Sequence, residues 1–500
     1  MPARLRRLSN AEYARTLSRL VGFAVTLPDS FPEDVRVEGF SANARQGVDA
    51  SFLAEAQALA RELAQRALGE QQLVPCDPGA SDCERAFVTQ FSERAYRRAP
   101  RAEELDAALQ LFRAARAQGS FAGAAELFVA TLLVSPQLLY LSEIGSEAGP
   151  GLRRLSSEEI ASVLSYMLTG GPPDPELQAA GTEGRLDAGP ERERQAWRLL
   201  AQSETRFQFR RFVREWLGLD VLAQLTKPVA DDRRLREGLL AETDAFVDEV
   251  LMYEGASLDK LLLANFTVIP ASLHAFEGLA PAADGHAYGR VSLAGSARVG
   301  LLQQPSFLAV HAHESESAPV LRGKAVLERL LCVKLPRPTE LGIVVTFPPS
   351  DPAQTTRQRH QRHSADPTCR SCHRTIDALG YPFENFDFVG RSRSEENAIP
   401  IDTRSDYDGP GGPQHFRDST DVSRWLAQNP TAHECFARQA YRFFSGDGAG
   451  QAEAAFLAVR AQLPEARQRD LFQTLVAFIA SPAFVERSAP AEQGRAEARR

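Results

Sequence analysis

The pattern that most constrains the fold is a helix-start signal that occurs twice in this chain of 500 residues. Ser9 is followed by Glu12, and Ser156 is followed by Glu159, each pair at the spacing of a capping box. In a capping box the serine hydroxyl and the glutamate carboxylate accept hydrogen bonds from backbone N–H groups that a helix N-terminus leaves without partners. Apolar residues then recur every three or four positions after both signals, which indicates amphipathic helices.

The same periodicity predicts helices along most of the chain, and the alternation typical of strands is rare. The sequence therefore predicts a mainly α fold of several packed helical segments with long loops and little β structure. One short strand is predicted at Thr267–Ile269. The further predicted helices are Ala86–Arg97, Glu103–Gln118, Phe121–Leu133, Glu191–Ala201, Phe207–Leu217, Leu235–Met252, Val320–Leu331, Phe436–Phe444 and Asp470–Ile479.

The charge and hydropathy of the chain exclude two classes of protein. It has 65 acidic and 57 basic residues, a net charge of -8, so we expect no nucleic-acid partner. No run of about 18 apolar residues occurs, so we expect no transmembrane segment. The first nine residues are basic but lack the apolar core of a signal peptide, which by itself would indicate the cytoplasm.

One short motif carries recognisable chemistry. Cys369-Arg370-Ser371-Cys372-His373 has the C-x-x-C-H spacing of c-type haem attachment. Two thiols at this spacing add to the two vinyl groups of the porphyrin, and the adjacent histidine lies under the iron as its proximal ligand. We therefore predict covalent haem c, attached through Cys369 and Cys372 and ligated by His373.

Other chemistry remains open for the same residues. The cysteine pair together with two of His360, His363 and His373 could form a tetrahedral zinc site. Against zinc, the ligand pairs lack the usual separation of about 12–20 residues. The two cysteines could also form a disulfide or remain as thiols.

The other four cysteines bear on the compartment of the protein. Cys76 and Cys83 enclose a turn-rich loop that suits a local disulfide, and Cys332 and Cys435 could close a long loop. Three pairings of four cysteines exist, and four buried thiols are an equal alternative. If the motif holds haem, the chain matures outside the cytoplasm, and we then expect the pairs Cys76–Cys83 and Cys332–Cys435.

The sequence leaves the sixth iron ligand open. His363 lies six residues before Cys369 and is a candidate for the distal ligand or for a contact with a haem propionate. His311 and His313 could approach from elsewhere. Met167 and Met252 lie on apolar helix faces and are predicted to be core residues rather than ligands.

Further residues near the motif are predicted to surround the haem. Tyr381 and Phe383 are expected to line it, and their apolar surfaces would raise its reduction potential. Glu384 and Asp387 are predicted to form a hydrogen-bonded turn rather than an acid–base pair. The arginines predicted to pair with the propionates are Arg357, Arg359, Arg362, Arg370 and Arg374.

Several blocks of sequence resemble one family in the same order along the chain. They are Arg6–Tyr13, Arg94–Arg98, Leu155–Glu159 with Glu242–Val247, Gln304–Leu308 with Ser317–Gly323 and the haem motif through Arg391, and Cys435–Arg442. On these residues the chain resembles the multidomain cytochrome-like proteins of planctomycete and myxobacterial type, which are known mostly as serial domains of unknown function.

This resemblance implies a periplasmic or cell-surface protein with covalent haem and a redox role, but no defined reaction. Members often carry an export signal ahead of the first block, so we expect that the start of this chain is truncated or misassigned. Where the family usually has Met-Asp-Pro after the haem histidine, this chain has Ile376-Asp377-Ala378, which would change the polarity or packing of the pocket.

The predicted function is electron transfer with a redox partner protein. A haem enzyme of peroxidase or oxygenase type with an open distal site is one alternative, and a zinc-binding structural or interaction protein is another. One haem needs only about 100 residues, so most of the chain has some other task. The predicted segments are an N-terminal helical block at 1–70, a helical block with the Cys76/Cys83 loop at 71–145, a central helical block at 146–290, the haem block at 291–410, a C-terminal helical block at 411–487 and a disordered tail at 488–500.

Overall fold

The computed structural model describes residues 1–489 apart from 71–72, 274–275, 277–287, 337, 343–348, 350, 364–366 and 449. Most of the described residues are helical and the strands are short, so the mainly α prediction is confirmed. Within this part of the chain, no helix has the length and apolar character needed to cross a membrane. The disordered tail predicted at 488–500 begins too early, because Ser488 ends the strand Glu486–Ser488, and the rest of it lies outside the described residues from position 490 onward.

The helices are mostly short and follow one another closely along the chain. Their bounds are Asn10–Val21, Ala50–Glu70, Cys83–Tyr96, Ala102–Gln118, Phe121–Leu133, Pro136–Leu139, Ser157–Thr169, Pro175–Thr182, Gly189–Leu200, Ser203–Leu217, Asp232–Glu249, Leu258–Leu263, Pro305–Val310, Pro319–Ala325, Thr356–His363, Pro367–Gly380, Ser419–Gln428, Pro430–Ser445, Gln451–Ala461, Glu465–Gln468, Leu471–Ala480 and Pro482–Val485.

The strands form small antiparallel sheets. Arg4–Arg7 pairs with Tyr140–Glu143, and Leu152–Arg154 lies between Ser146–Gly149 and Glu486–Ser488. Phe266–Pro270 pairs with Tyr288–Ser292, which confirms the strand predicted at Thr267–Ile269. The remaining pairs are Glu395–Glu396 with Ile399–Pro400 and Ser405–Tyr407 with Gln414–Phe416.

The chain folds into two compact units, each built from separate stretches of sequence. Unit 1 contains Met1–Gln208, Tyr441–Leu463 and Thr474–Arg500. Unit 2 contains Phe209–Ala440 and Pro464–Gln473.

Both predicted capping boxes are present in unit 1. The Ser9 hydroxyl accepts a hydrogen bond from the backbone N–H of Glu12, whose carboxylate accepts from the backbone N–H of Ser9, and Ser156 and Glu159 repeat this arrangement. The first helix ends at Gly22, whose φ of 86° is the left-handed conformation that glycine adopts without a steric penalty. Both signals therefore start helices as predicted.

Unit 1 is held by an aromatic core and by one disulfide. The predicted pair Cys76–Cys83 is confirmed. Neighbouring rings in the core meet mostly edge to face, which is the favoured geometry for aromatic pairs. The core rings are those of Phe87, Phe91, Phe112, Phe121 and Phe128.

Unit 2 contains the second disulfide and a close helix crossing. The predicted pair Cys332–Cys435 is confirmed. The helix Pro319–Ala325 lies directly against the helix Pro367–Gly380, because a Cβ atom on Gly323 would meet the carbonyl oxygen of Ile376 at 1.9 Å. A Cβ atom on Gly380 would meet the carbonyl oxygen of Pro319 at the same distance. Only glycine permits this approach of two backbones.

Two predicted helices end earlier than their periodicity indicates. Asp232–Glu249 and Pro319–Ala325 each continue into a π-helical turn, at Val250–Glu254 and Val326–Leu330. A π turn changes the angular spacing of the side chains, so the regular helical period no longer places Met252 on the buried face. Met252 is 51% exposed and its predicted core position is wrong, whereas Met167 is buried as predicted. In the second turn Val326, Leu327 and Leu330 stay buried.

Candidate functional site

The cysteine motif lies on one face of the helix Pro367–Gly380 in unit 2. Cys369, Cys372 and His373 occupy positions i, i+3 and i+4, which are neighbours on a helix surface. The two cysteines are half-buried and neither joins a disulfide. The helix therefore presents two thiols and one imidazole together, as covalent haem attachment requires.

A carboxylate holds the imidazole of the motif. Nδ1 of His373 lies 3.0 Å from Oδ1 of Asp377, one helical turn further along, and the Tyr381 hydroxyl donates to Oδ2 of Asp377 at 3.2 Å. Because a carboxylate only accepts, Nδ1 of His373 carries the proton in this bond. The second ring nitrogen, Nε2, then keeps its lone pair for a metal, the arrangement typical of ligating histidines.

The helix Thr356–His363 packs against this carboxylate and tyrosine. The guanidinium of Arg357 lies 4.6 Å from the centroid of the Tyr381 ring, and one turn further along, the ring of His360 is 8% exposed. Burial lowers the pKa of His360 to about 4, and the negative charge of Asp377 opposes this shift. His360 interacts electrostatically with Asp377 and His373, so the three side chains lie near one another at the site.

The arginines predicted to bind propionates divide into two groups. Arg357 donates to the carbonyl oxygens of Asp402 and Arg404, and Arg359 pairs with Glu316 at 2.9 Å, so both already hold protein groups. Arg370 and Arg374 are exposed beside the motif. The side chain of Arg362 lies outside the described residues, so its role stays a prediction.

The remaining histidine candidates differ in their surroundings. Nε2 of His311 lies 3.1 Å from the carbonyl oxygen of Leu217, its ring packs edge-on against Phe307, and burial lowers its pKa to about 3. These contacts are typical of a structural core histidine. His313 is half-buried, and its carbonyl accepts a hydrogen bond from Lys227. The side chain of His363 lies outside the described residues.

Zinc remains open at this site. Among the residues that the structure describes, no group of three or more histidine, cysteine, aspartate or glutamate side chains could hold a metal ion. The side chain of His363 lies outside the described residues, so a zinc site that includes His363 stays a prediction.

Buried charges brace the turn that follows the motif helix. Arg322 is fully buried and donates to the carbonyl oxygens of Leu308, Phe383, Phe386 and Asp387. Burial lowers the pKa of Arg322 to about 10. It also raises the pKa of the neighbouring carboxyl of Glu384, which accepts a hydrogen bond from Ser317.

The two acidic residues of this turn are structural, as predicted. Oδ1 of Asp387 accepts hydrogen bonds from the backbone N–H groups of Val389 and Arg391. Phe383 is fully buried, with its ring 6.4 Å from that of Phe307, and Tyr381 is also buried. Their contact with haem stays a prediction.

The sequence prediction missed two residues of the site. Asp377 was noted only as part of the departure at Ile376-Asp377-Ala378, although its i+4 spacing from His373 predicts contact on a helix. Arg322 lay within a family block without an assigned role. No local signal reveals Arg322, because its partners are carbonyl oxygens up to 65 residues away.

Comparison with known families finds four serial domains. Residues 6–69, 83–143, 155–279 and 298–396 match models that are each described as a protein of unknown function, namely DUF1587, DUF1595, DUF1592 and DUF1588 in chain order. This order fits a multidomain family of such proteins. The cysteine motif lies within the fourth range, and the block at Cys435–Arg442 lies outside all four. No curated protein and no solved structure matches the chain.

Proposed function

We propose that this chain, with its four serial domains of unknown function, is a c-type haem protein that transfers electrons. Haem would be attached through Cys369 and Cys372, with His373 as the proximal ligand. The observation that carries the proposal is the hydrogen bond of 3.0 Å between Nδ1 of His373 and Asp377. It orients the imidazole and leaves Nε2 for iron, on the same helix face as the two thiols.

The residues around His373 would set the reduction potential by opposing effects. When bound, the haem iron supplies a one-electron couple between its ferrous and ferric states. The carboxylate of Asp377 stabilises the more positive ferric state through His373 and lowers the potential. Burial among apolar groups such as Phe383 disfavours the more charged ferric state and so raises the reduction potential.

The two disulfides support a periplasmic or cell-surface location for this proposed haem protein. Cys76–Cys83 and Cys332–Cys435 would form and persist in an oxidising compartment, which is also where c-type haem proteins mature. A redox partner protein in the same compartment would exchange electrons with the haem.

A haem enzyme is the second candidate, and the same hydrogen bond favours it. A carboxylate that accepts the proton of His373 makes the imidazole a stronger electron donor to iron. Electron donation from the proximal side favours cleavage of an O–O bond, as it does with a thiolate ligand. The open or filled state of the sixth iron position therefore separates the two functions.

Optical spectroscopy of the matured protein tests the proposal. Expression with a haem-maturation system should give a Soret band that stays with the polypeptide after denaturation. We expect a low-spin ferric spectrum that cyanide does not change, because an electron-transfer site has six protein and porphyrin ligands. A high-spin spectrum that shifts with cyanide would favour the enzyme, and co-purified zinc without haem would contradict both.

Replacing Asp377 with asparagine should raise the reduction potential of the haem. The substituted side chain would keep the size of the aspartate but lose the negative charge that stabilises the ferric state. We expect a rise on the order of 60 mV, a tenfold shift of a one-electron equilibrium. Redox titration of the Soret band measures this, with Asp259→Asn as a control of equal charge change in the helix Leu258–Leu263. An unchanged or lower potential in Asp377→Asn would contradict the assigned role.

A further inference from the structure

Unit 1 contains a cavity of about 650 Å³ that the haem proposal does not use. Its wall combines the end of the helix Cys83–Tyr96, the strand Tyr140–Glu143 and the start of the helix Ser157–Thr169. Two of the family blocks of the sequence, Arg94–Arg98 and Leu155–Glu159, thus meet at one concave surface. Its volume lies within the range of small-molecule sites, about 300–1,000 Å³. We propose that this cavity binds a short neutral oligosaccharide.

The apolar part of the wall suits the C–H faces of sugar rings. Tyr96 and Tyr140 both line the cavity and are only partly buried. Leu5 and Ile144 stand at the same cavity and are 54% and 40% exposed. Tyrosine offers a flat apolar ring with a polar tip, so it can stack on a sugar and also bond to a hydroxyl.

Several polar groups of the wall remain open to a ligand. Within the described part of the chain, no protein group forms a hydrogen bond with the hydroxyls of Tyr96, Tyr140 and Ser162, the amide of Gln137 or the carboxylate of Glu158. Together these side chains supply both hydrogen-bond donors and hydrogen-bond acceptors. Sugar hydroxyls donate and accept at once, so they match such a mixed set.

The charges of the wall favour a ligand without net charge. Arg98 and Arg101 pair with Glu104 at 2.7 and 2.8 Å. Glu159 accepts hydrogen bonds from the Ser142 hydroxyl and from the backbone of Ser156. The lining charges are those of Arg97, Arg98, Arg101, Glu104, Glu158 and Glu159, which sum to zero. A cationic ligand would also compete with Arg98, whose guanidinium already lies 5.7 Å from the Tyr96 ring centroid.

The wall is built rigidly around an unusual backbone position. Arg97 has φ 60°, a left-handed conformation that costs energy for a residue other than glycine. Its side chain donates to the carbonyl oxygens of Leu138, Gln137 and Tyr140 and so ties the helix end to the opposite wall. This clamp holds Tyr96 and Tyr140 at a set separation before any ligand arrives.

Isothermal titration calorimetry of the full chain tests this proposal. The probes are maltotriose, cellotriose and mannotriose, each titrated separately. We expect at least one to bind, with Tyr140→Ala and the isosteric Glu158→Gln each weakening it about tenfold. Tyr253→Ala is the matched control, because Tyr253 is 72% exposed and lies in unit 2. It should leave the affinity unchanged.

The remaining outcomes overturn the proposal. One such outcome is that none of the three trisaccharides binds. Another is that a trisaccharide binds with the same affinity in both Tyr140→Ala and Glu158→Gln. The third is that spermidine or citrate binds instead, with the same dependence on these two residues. Circular dichroism of each variant shows whether it is folded, and Glu158→Gln keeps the test valid if Tyr140→Ala is not. The haem has no part in the readout, so the result is independent of the proposed electron transfer.

Discussion

Replacing Cys369 and Cys372 together with alanine should leave no haem covalently attached to the chain. The two thiols are the only groups in the C-x-x-C-H motif that can form thioether bonds, so no other residue of the motif can attach haem covalently in their place. The helix Pro367–Gly380 places both thiols beside His373, so each single variant should keep one bond. The measurement is haem that remains with the polypeptide in denaturing electrophoresis, compared at equal amounts of protein.

The chain offers a matched control for this experiment. The double variant Cys76→Ala/Cys83→Ala also removes two cysteines, but from the disulfide of unit 1. It should keep its covalent haem in full. Haem that stays covalently attached to the Cys369→Ala/Cys372→Ala variant would contradict the assignment. One zinc ion and no haem in each unaltered chain would instead support the zinc alternative.

The fold was largely predictable because its helices depend on local signals. The capping boxes at Ser9 and Ser156 start helices where predicted, and Phe121–Leu133 has the predicted bounds. Among the described residues the longest helix is Ala50–Glu70, which was missed because Leu53, Ala54 and Ala58 on its exposed face blur the hydrophobic periodicity. The strand Arg4–Arg7 was missed because four residues that pair with Tyr140–Glu143 leave no periodic signal.

The chemistry of the site was predictable only in part. The motif itself singles out Cys369, Cys372 and His373, because the proposed haem attachment demands these residue types at this spacing. The role of Asp377 follows from helix geometry, but only once the motif is known to continue as a helix for another turn. Gly323 and Gly380 belong to resemblance blocks, and their packing role depends on a contact between helices more than 50 residues apart, which no local pattern encodes.

Breaking the disulfide Cys332–Cys435 should lower the free energy of unfolding more than breaking Cys76–Cys83. Cys332 and Cys435 are 103 residues apart in sequence, whereas Cys76 and Cys83 are 7 apart. A cross-link reduces the entropy of the unfolded chain more when it closes a longer loop. The double variant Cys332→Ser/Cys435→Ser should lose about 4.7 kcal/mol of unfolding free energy, and Cys76→Ser/Cys83→Ser about 2.4 kcal/mol.

Urea denaturation followed by circular dichroism measures both losses in the full chain. The two variants make the same chemical change, so the difference of about 2 kcal/mol isolates the effect of loop length. Each disulfide has one buried cysteine, Cys435 at 2% and Cys83 at 0% exposure, and one half-buried cysteine, so the serine hydroxyls lose hydrogen bonds with water to a similar extent in both variants. Equal losses, or a larger loss for the short loop, would show that strain or denatured-state structure outweighs loop closure in this chain.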